Sequence, residues 1–194
     1  EKGERDVRLE DLVAAGVGQV TVMDPDHVDR SNLQRQVLFS DAQVGRSKAA
    51  AAAEVLRAQN PQVQVIPLAD RFESGRSVAG FDLVIDCTDN FAARYAINDA
   101  CLSARVPWIF ASVHRFQGQC ALFDGDGGAC YRCLFPAPPP AELAPNCAEA
   151  GVLGALPGFM GALQASEALQ RLIGLETGLT GRVLTADLRR LDIR

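Results

Sequence analysis

Short apolar runs alternate along the chain with longer stretches whose apolar residues recur at helical spacing. Residues 20–24 (VTVMD) form an apolar run ending in an acid and read as a buried parallel strand. Before it, Leu9, Leu12 and Val13 are spaced as on a helix, and Gly16 and Gly18 suit its stop. Residues 47–59 are an alanine-rich helix halted near Asn60-Pro61, because the residue before a proline is pushed out of the helical region. Residues 63–68 and 81–87 read as the next strands, and 90–104 as a helix. Residues 108–111 and 119–123 read as two more strands. The proline-rich stretch 135–145 can continue neither a helix nor an interior strand and reads as an exposed, mobile loop. Residues 151–173 carry Leu156, Phe159, Met160, Leu163, Ala165, Leu169 and Leu172 at helical spacing. Gly151, Gly154, Gly158 and Gly161 there predict close backbone approach, as core or as a dimer interface. Residues 183–193 read as a closing strand pair. Strands alternating with helices predict an α/β sheet, parallel at least in its first half, in one domain over residues 1–194.

Composition narrows the partners. With 194 residues, 48% hydrophobic and 22% charged, the chain is an ordinary globular one. A net charge of -5 and no Lys/Arg block make nucleic acid and anionic membranes poor partners. No apolar run is long enough to span a membrane, and the charged first residues precede no signal-peptide core, so a cytoplasmic protein is expected. Six cysteines could suggest disulfides, but that reading belongs to small secreted scaffolds.

Several residues could carry chemistry. Asp24, at a strand end, suits ribose hydroxyls, since a carboxylate accepts from both; a turn or cap acid is the plainer reading. Arg35, in Ser31-Asn32-Leu33-Gln34-Arg35-Gln36, and Lys48, opening the alanine-rich helix, would suit a polyphosphate: one as a fork, the other as a point charge. Surface charge is the alternative for each. Asp89, in Asp86-Cys87-Thr88-Asp89-Asn90, is a hard oxygen donor suited to Mg²⁺ on a nucleotide, or else Thr88 or Asp89 caps the next helix. Cys130 and Cys133 form a C-x-x-C pair, which supplies two of the four ligands that tetrahedral zinc needs; a redox pair or two unrelated thiols are the alternatives. Cys147, beyond the proline-rich stretch, could be a loop nucleophile or a buried thiol. Cys87, Cys101 and Cys120 sit in apolar runs and are expected to be buried and inert.

The order of these motifs is more specific than any one of them. The run over residues 14–48 (AAGVGQVTVMDPDHVDRSNLQRQVLFSDAQVGRSK), followed by DCTDN, CYRCLFP and NCAEAGVLG, closely resembles the ThiF/MoeB branch of ubiquitin-activating-enzyme-like proteins. The resemblance covers the chain from about Val13 to Arg194. It implies a Rossmann-like sheet with antiparallel strands in the C-terminal part and helices on both faces, in a homodimer. It also implies ATP with Mg²⁺ and a partner that is a ubiquitin-like sulfur carrier of the ThiS or MoaD kind, ending in Gly-Gly. The carrier carboxylate would attack the α-phosphate, giving an acyl-adenylate and pyrophosphate, for thiamine, molybdopterin or a related sulfur route. On this resemblance Asp24 would hold the ribose, Asn32, Arg35 and Lys48 the phosphates, and Asp89 Mg²⁺. Cys130 and Cys133 would form half of a Cys₄ zinc site, and Cys147 would be the thiol that links covalently to the carrier in sulfur-transfer members.

Two expected pieces have no counterpart in this sequence. A strand and glycine-rich loop should precede Val13, where the chain reads EKGERDVRLEDL, and Arg5 is a poor substitute for the family's N-terminal arginine. A second C-x-x-C should follow Arg194. The expectation is a sequence with those stretches left out, because deleting a central strand would cost more than the roughly 5–15 kcal/mol that holds a domain together. The alternatives are a degenerate homologue that docks a ubiquitin-like protein without activating it, and an NAD-dependent enzyme, in which SNLQRQ and CYRC would have no role.

Overall fold

A computed structural model describes residues 8–138 and 151–194; Arg5, Cys147 and most of the proline-rich stretch lie outside the described residues. Helix α1 (Leu9–Ala14) ends at Gly16, whose φ of +84° is the left-handed turn that favours glycine. Strand β1 (Gln19–Met23) follows, then α2 (Lys48–Gln59) and β2 (Gln64–Leu68). Ser47 caps α2 by accepting from the Ala50 amide, and the helix stops at Asn60 as the proline predicts. β1 and β2 pair in parallel, Val20 opposite Val65. A second parallel unit is β3 (Val84–Ile85), α3 (Phe91–Ala104) and β4 (Trp108–His114). From β4 the sheet turns antiparallel through β5 (Gln117–Phe123), β6 (Val183–Asp187) and β7 (Asp192–Ile193). The short helix α4 (Tyr131–Leu134) follows β5, and the long helix α5 (Ala155–Leu172) precedes β6.

The alternation along β4 explains why its sequence is apolar throughout. Ile109, Ala111 and Val113 face α5, packing with Leu156, Met160 and Ala165. Trp108 and Phe110 face the other way, onto Tyr95 and Cys101 of α3 and Tyr131 of α4. A sheet buried on both faces has no polar stripe, and the expected helices on both faces are present. A third cluster joins Val13, Val20, Ala52, Leu56 and Val65 under α2. Gly118 lets α5 lie close: a Cβ there would sit 2.5 Å from the Met160 sulfur. Of the glycines expected to permit close approach, Gly154 does so, since a Cβ there would sit 2.9 Å from the Gln34 carbonyl oxygen, whereas a Cβ at Gly151 or Gly158 would meet nothing.

Two expectations need correction. The strand expected over residues 81–87 is only Val84–Ile85, since among the described residues it pairs with β4 alone and has no ladder on its other edge. The sheet is likewise divided, β1–β2 in one part and β3 to β7 in the other. The facing edges of β1 and β3 line one cavity of about 710 Å³, walled also by Leu9 and Leu12 of α1 and by Leu169 and Leu172 of α5. The resemblance implies a strand inside the sheet, and this apolar seam lies between the two parallel pairs.

Candidate functional site

The loops leaving β1 and β3 meet at the same cavity. Asp24, Asp26 and Lys48 line it from one side, Thr88, Asp89 and Asn90 from the other. The segment between β1 and α2 folds back on itself: the Val28 amide donates to the Arg46 carbonyl at 2.8 Å, the Gly45 amide donates to the Val28 carbonyl at 2.8 Å, and the Lys48 amide donates to the Asp26 carbonyl at 2.9 Å. That return places Lys48 at the start of α2 with its side chain only 2% exposed, its Nζ 3.5 Å from Asp26 Oδ2 and 3.9 Å from Asp24 Oδ2. Asp26 was missed by sequence reasoning as a site residue; the signal available was a second acid two positions after Asp24.

Burial pushes the Asp24 carboxyl above its ordinary value, against the lowering pull of Lys48 and of a hydrogen bond from the Asp26 amide. Asp26 and Asp89 add to the rise, so Asp24 feels the acid that follows the other strand across the site. A carboxylate whose folded pKa is raised opposes folding once ionised: its cost is absent below the unfolded value and grows as pH rises through the folded one. Asp24→Asn is therefore expected to raise the melting temperature at neutral pH, with the gain vanishing near and below pH 3.8. Paired thermal melts across that range check this, and a variant less stable at pH 7 would contradict it.

Asn32 and Arg35 are both buried, but neither is on the cavity wall; Gln36 is the residue of that segment that reaches it. Arg35 Nη1 donates to the Ser31 carbonyl at 3.4 Å, and Asn32 Oδ1 is buried with no hydrogen-bond partner among the described residues. Asn90, and neither Thr88 nor Asp89, caps α3, accepting from the Ala93 amide at 2.8 Å. Asp89 is thus left facing the cavity.

Behind this turn lies a charged pair that sequence reasoning assigned no role. Asp86 is fully buried, and its Oδ1 accepts from the Thr88 amide at 2.7 Å. Arg94 of α3, also buried, sets Nε 3.5 Å from Asp86 Oδ2, donates from Nη2 to the Thr88 carbonyl at 3.0 Å, and lies over the Phe91 and Phe110 rings. The only sequence signal was an acid inside an apolar run and an arginine inside an apolar helix.

Cys130 immediately precedes α4 and Cys133 lies within it, their sulfurs 3.7 Å apart. The Cys130 backbone and then its thiol, both hydrogen-bonding to Cys133, hold the Cys133 thiol below its ordinary value. Helix α4 is fixed to α3 by the Tyr131 amide donating to Asn98 Oδ1 and by the forked pair of Arg132 with Asp99. Two thiolates on one tetrahedral zinc sit about 3.8 Å apart, given Zn–S bonds of about 2.3 Å. The pair fits one edge of such a site, but among the described residues no three metal-binding side chains gather. Cys101 and Cys120 are buried, their thiols pushed up to about 12 by burial, as expected of inert cysteines. Cys87 is only half-buried and lines the cavity, which corrects that expectation for it. All the described cysteines are free thiols, and no described helix is long and apolar enough to cross a membrane.

Comparison with known proteins places this geometry. The ThiF family profile matches residues 7–194. The sulfur carrier protein adenylyltransferase of Thermus thermophilus is 44% identical over 199 residues, covering 96% of this chain and 73% of that protein. The mouse adenylyltransferase and sulfurtransferase MOCS3 is 45% identical over 191 residues, covering 94% of this chain. The SAMP-activating enzyme E1 of Haloferax volcanii is 45% identical over 179 residues, covering 91% of it. The chain spans 42% of the mouse protein's length and 66% of the Haloferax protein's. Among solved structures, E. coli MccB with AMPCPP and MccA superposes with a TM-score of 0.81 at 19% identity, over 96% of this chain and 58% of that one. At that identity the match shows the fold: a Rossmann-like α/β arrangement.

Proposed function

The chain belongs to the ThiF family, and on that premise we propose that the protein of which it is part uses ATP to adenylate the C-terminal Gly-Gly carboxylate of a ubiquitin-like sulfur carrier. The observation that carries the reading is the convergence of Asp24, Lys48 and Asp89 on one cavity at the ends of β1 and β3. Ligands of open α/β sheets bind at this edge. The relatives' names, adenylyltransferases in the mouse and Thermus proteins, point the same way.

The reaction is a displacement at phosphorus. A carrier carboxylate oxygen forms a bond to the α-phosphorus of ATP, the bond to the bridging oxygen breaks, and pyrophosphate leaves with that electron pair. The nucleophile is already an anion, so the site needs no general base. It needs cations to offset repulsion between two anionic reactants and to hold them in line. Lys48 supplies a fixed positive charge on the cavity wall and Asp24 would hold the ribose, while Arg35 and Asn32, buried beside Gln36 and off the wall, would have to turn toward the cavity to meet the phosphates. Asp89 would hold Mg²⁺, which supplies charge neutralisation on the polyphosphate.

Three further parts belong to the same proposal. Cys130 and Cys133 would hold zinc together with two ligands from elsewhere, in a structural role. Cys147, outside the described residues, would be the thiol of sulfur-transfer chemistry. The working form would be a homodimer.

Arg35→Ala and Asp89→Ala are each expected to lower carrier-dependent ATP–pyrophosphate exchange by about a hundred-fold or more. Unchanged exchange in both variants would remove the assigned site.

A further inference from the structure

A carboxylate on a turn is only as well aimed as the backbone that carries it. Asp89 lies on the turn between β3 and α3, and that turn is held from both sides. On its far side the Asn90 side chain caps α3. On its near side both backbone groups of Thr88 are engaged: the amide by Asp86 Oδ1 at 2.7 Å, the carbonyl by Arg94 Nη2 at 3.0 Å. The Thr88 carbonyl and the Asp89 amide belong to one rigid peptide plane, so holding the former fixes where the Asp89 Cα begins.

Arg94 reaches that carbonyl because it has nowhere else to go. It is 4% exposed, wedged over the Phe91 and Phe110 rings at 5.3 and 5.4 Å, and its charge is matched by Asp86, itself 0% exposed. A buried guanidinium without its carboxylate would be strongly unfavourable, so the pair holds its place in the core. Two further contacts hold the pair. Gln164 of α5 donates to the Asp86 carbonyl at 2.9 Å. The Tyr131 hydroxyl lies beside Arg94, whose charge partly offsets the rise that burial imposes on that phenol.

We propose that Arg94 is a positioning residue: through the Thr88 carbonyl it sets the direction of Asp89, and with it the affinity of the site for the divalent cation on a nucleotide. This rests on the adenylation reading for its context. The fork is essential to it, because one guanidinium engages the Asp86 carboxylate and the Thr88 carbonyl with separate nitrogens, which an ammonium on a lysine stem does not reproduce.

The test is a cation titration of the protein with Mn²⁺ and a non-hydrolysable ATP analogue, read by proton relaxation, alongside the Mg²⁺ dependence of pyrophosphate exchange. Arg94→Lys is expected to raise the Mn²⁺ dissociation constant and the half-saturating Mg²⁺ by about ten- to a hundred-fold, as loss of a ligand's supporting contact does. In an Asp89→Asn background the same change should have little further effect, since the group being aimed is gone. Asp86→Asn keeps the acceptor for the Thr88 amide, removes the charge that seats Arg94, and should shift the cation dependence in the same direction. Unchanged cation affinity in Arg94→Lys and Asp86→Asn, or an Arg94→Lys loss that persists in full with Asp89→Asn, would overturn the inference. Absence of carrier-dependent exchange in the unmodified protein would instead count against the adenylation reading, and the Mn²⁺ titration would still judge Arg94.

Discussion

Replacing Lys48 with methionine is expected to reduce carrier-dependent pyrophosphate exchange by about a hundred- to a thousand-fold while leaving the fold in place. Lys48 Nζ is the cation within 4 Å of both Asp24 and Asp26, and the side chain is almost wholly buried. In methionine the apolar stem is retained and the charge is lost. Asp24 would then lose the largest influence holding its carboxyl down, with Asp26 and Asp89 still pushing it up. The cavity wall would then present Asp24, Asp26 and Asp89 to a polyanion without the lysine charge that stands among them. Stability should change little by comparison, because both aspartates keep partial contact with water, at 30% and 26% side-chain exposure. Exchange kinetics beside a thermal melt separate the two effects. Exchange within about three-fold of the parent would mean that Lys48 is a structural cation.

Trp108→Ala is expected to cost about 3–5 kcal/mol, seen as a fall of roughly 6–20 °C in melting temperature for a chain of this size. Trp108 is buried where three elements meet. Its backbone pairs with Val84 of β3 on one side and Phe123 of β5 on the other. Its ring lies 5.0 Å from Phe123 and 5.8 Å from Tyr131. Truncation would open a cavity under α4 and loosen the edge that holds β3 in the sheet, and Asp89 follows directly from β3. A fall below about 3 °C would show that the aromatic cluster packs more loosely than its geometry implies.

Much of this was legible in the sequence, for identifiable reasons. The strand ending in Asp24 and the helix opening at Lys48 carry local signals: an apolar run closed by an acid, a serine cap, an alanine-rich stretch, a terminating proline. Local signals survive because they need no partner. The ordering of Asp24, SNLQRQ, Lys48 and DCTDN also carried the family resemblance, which the profile match over residues 7–194 bears out. What stayed hidden depends on contacts between distant parts. Nothing near Gly118 says that Met160 will lie against it, and nothing in the DCTDN motif alone says that Asp86 turns inward to Arg94 while Asp89 turns outward. The brevity of β3 was equally invisible, since it reflects an edge with no paired strand among the described residues and the apolar run reads the same either way. Cys87 misled for the same reason: its run is apolar, but it lies on the seam between the two sheets.

The central claim is adenylation, and carrier-dependent ATP–pyrophosphate exchange tests it most directly. The account predicts exchange that requires Mg²⁺ and a carrier ending in Gly-Gly, disappears when the terminal glycine is removed, and is lost in Arg35→Ala, Lys48→Met and Asp89→Ala. A protein that binds the carrier tail with no nucleotide binding by calorimetry, or that binds NAD tightly and ATP not at all, would contradict it.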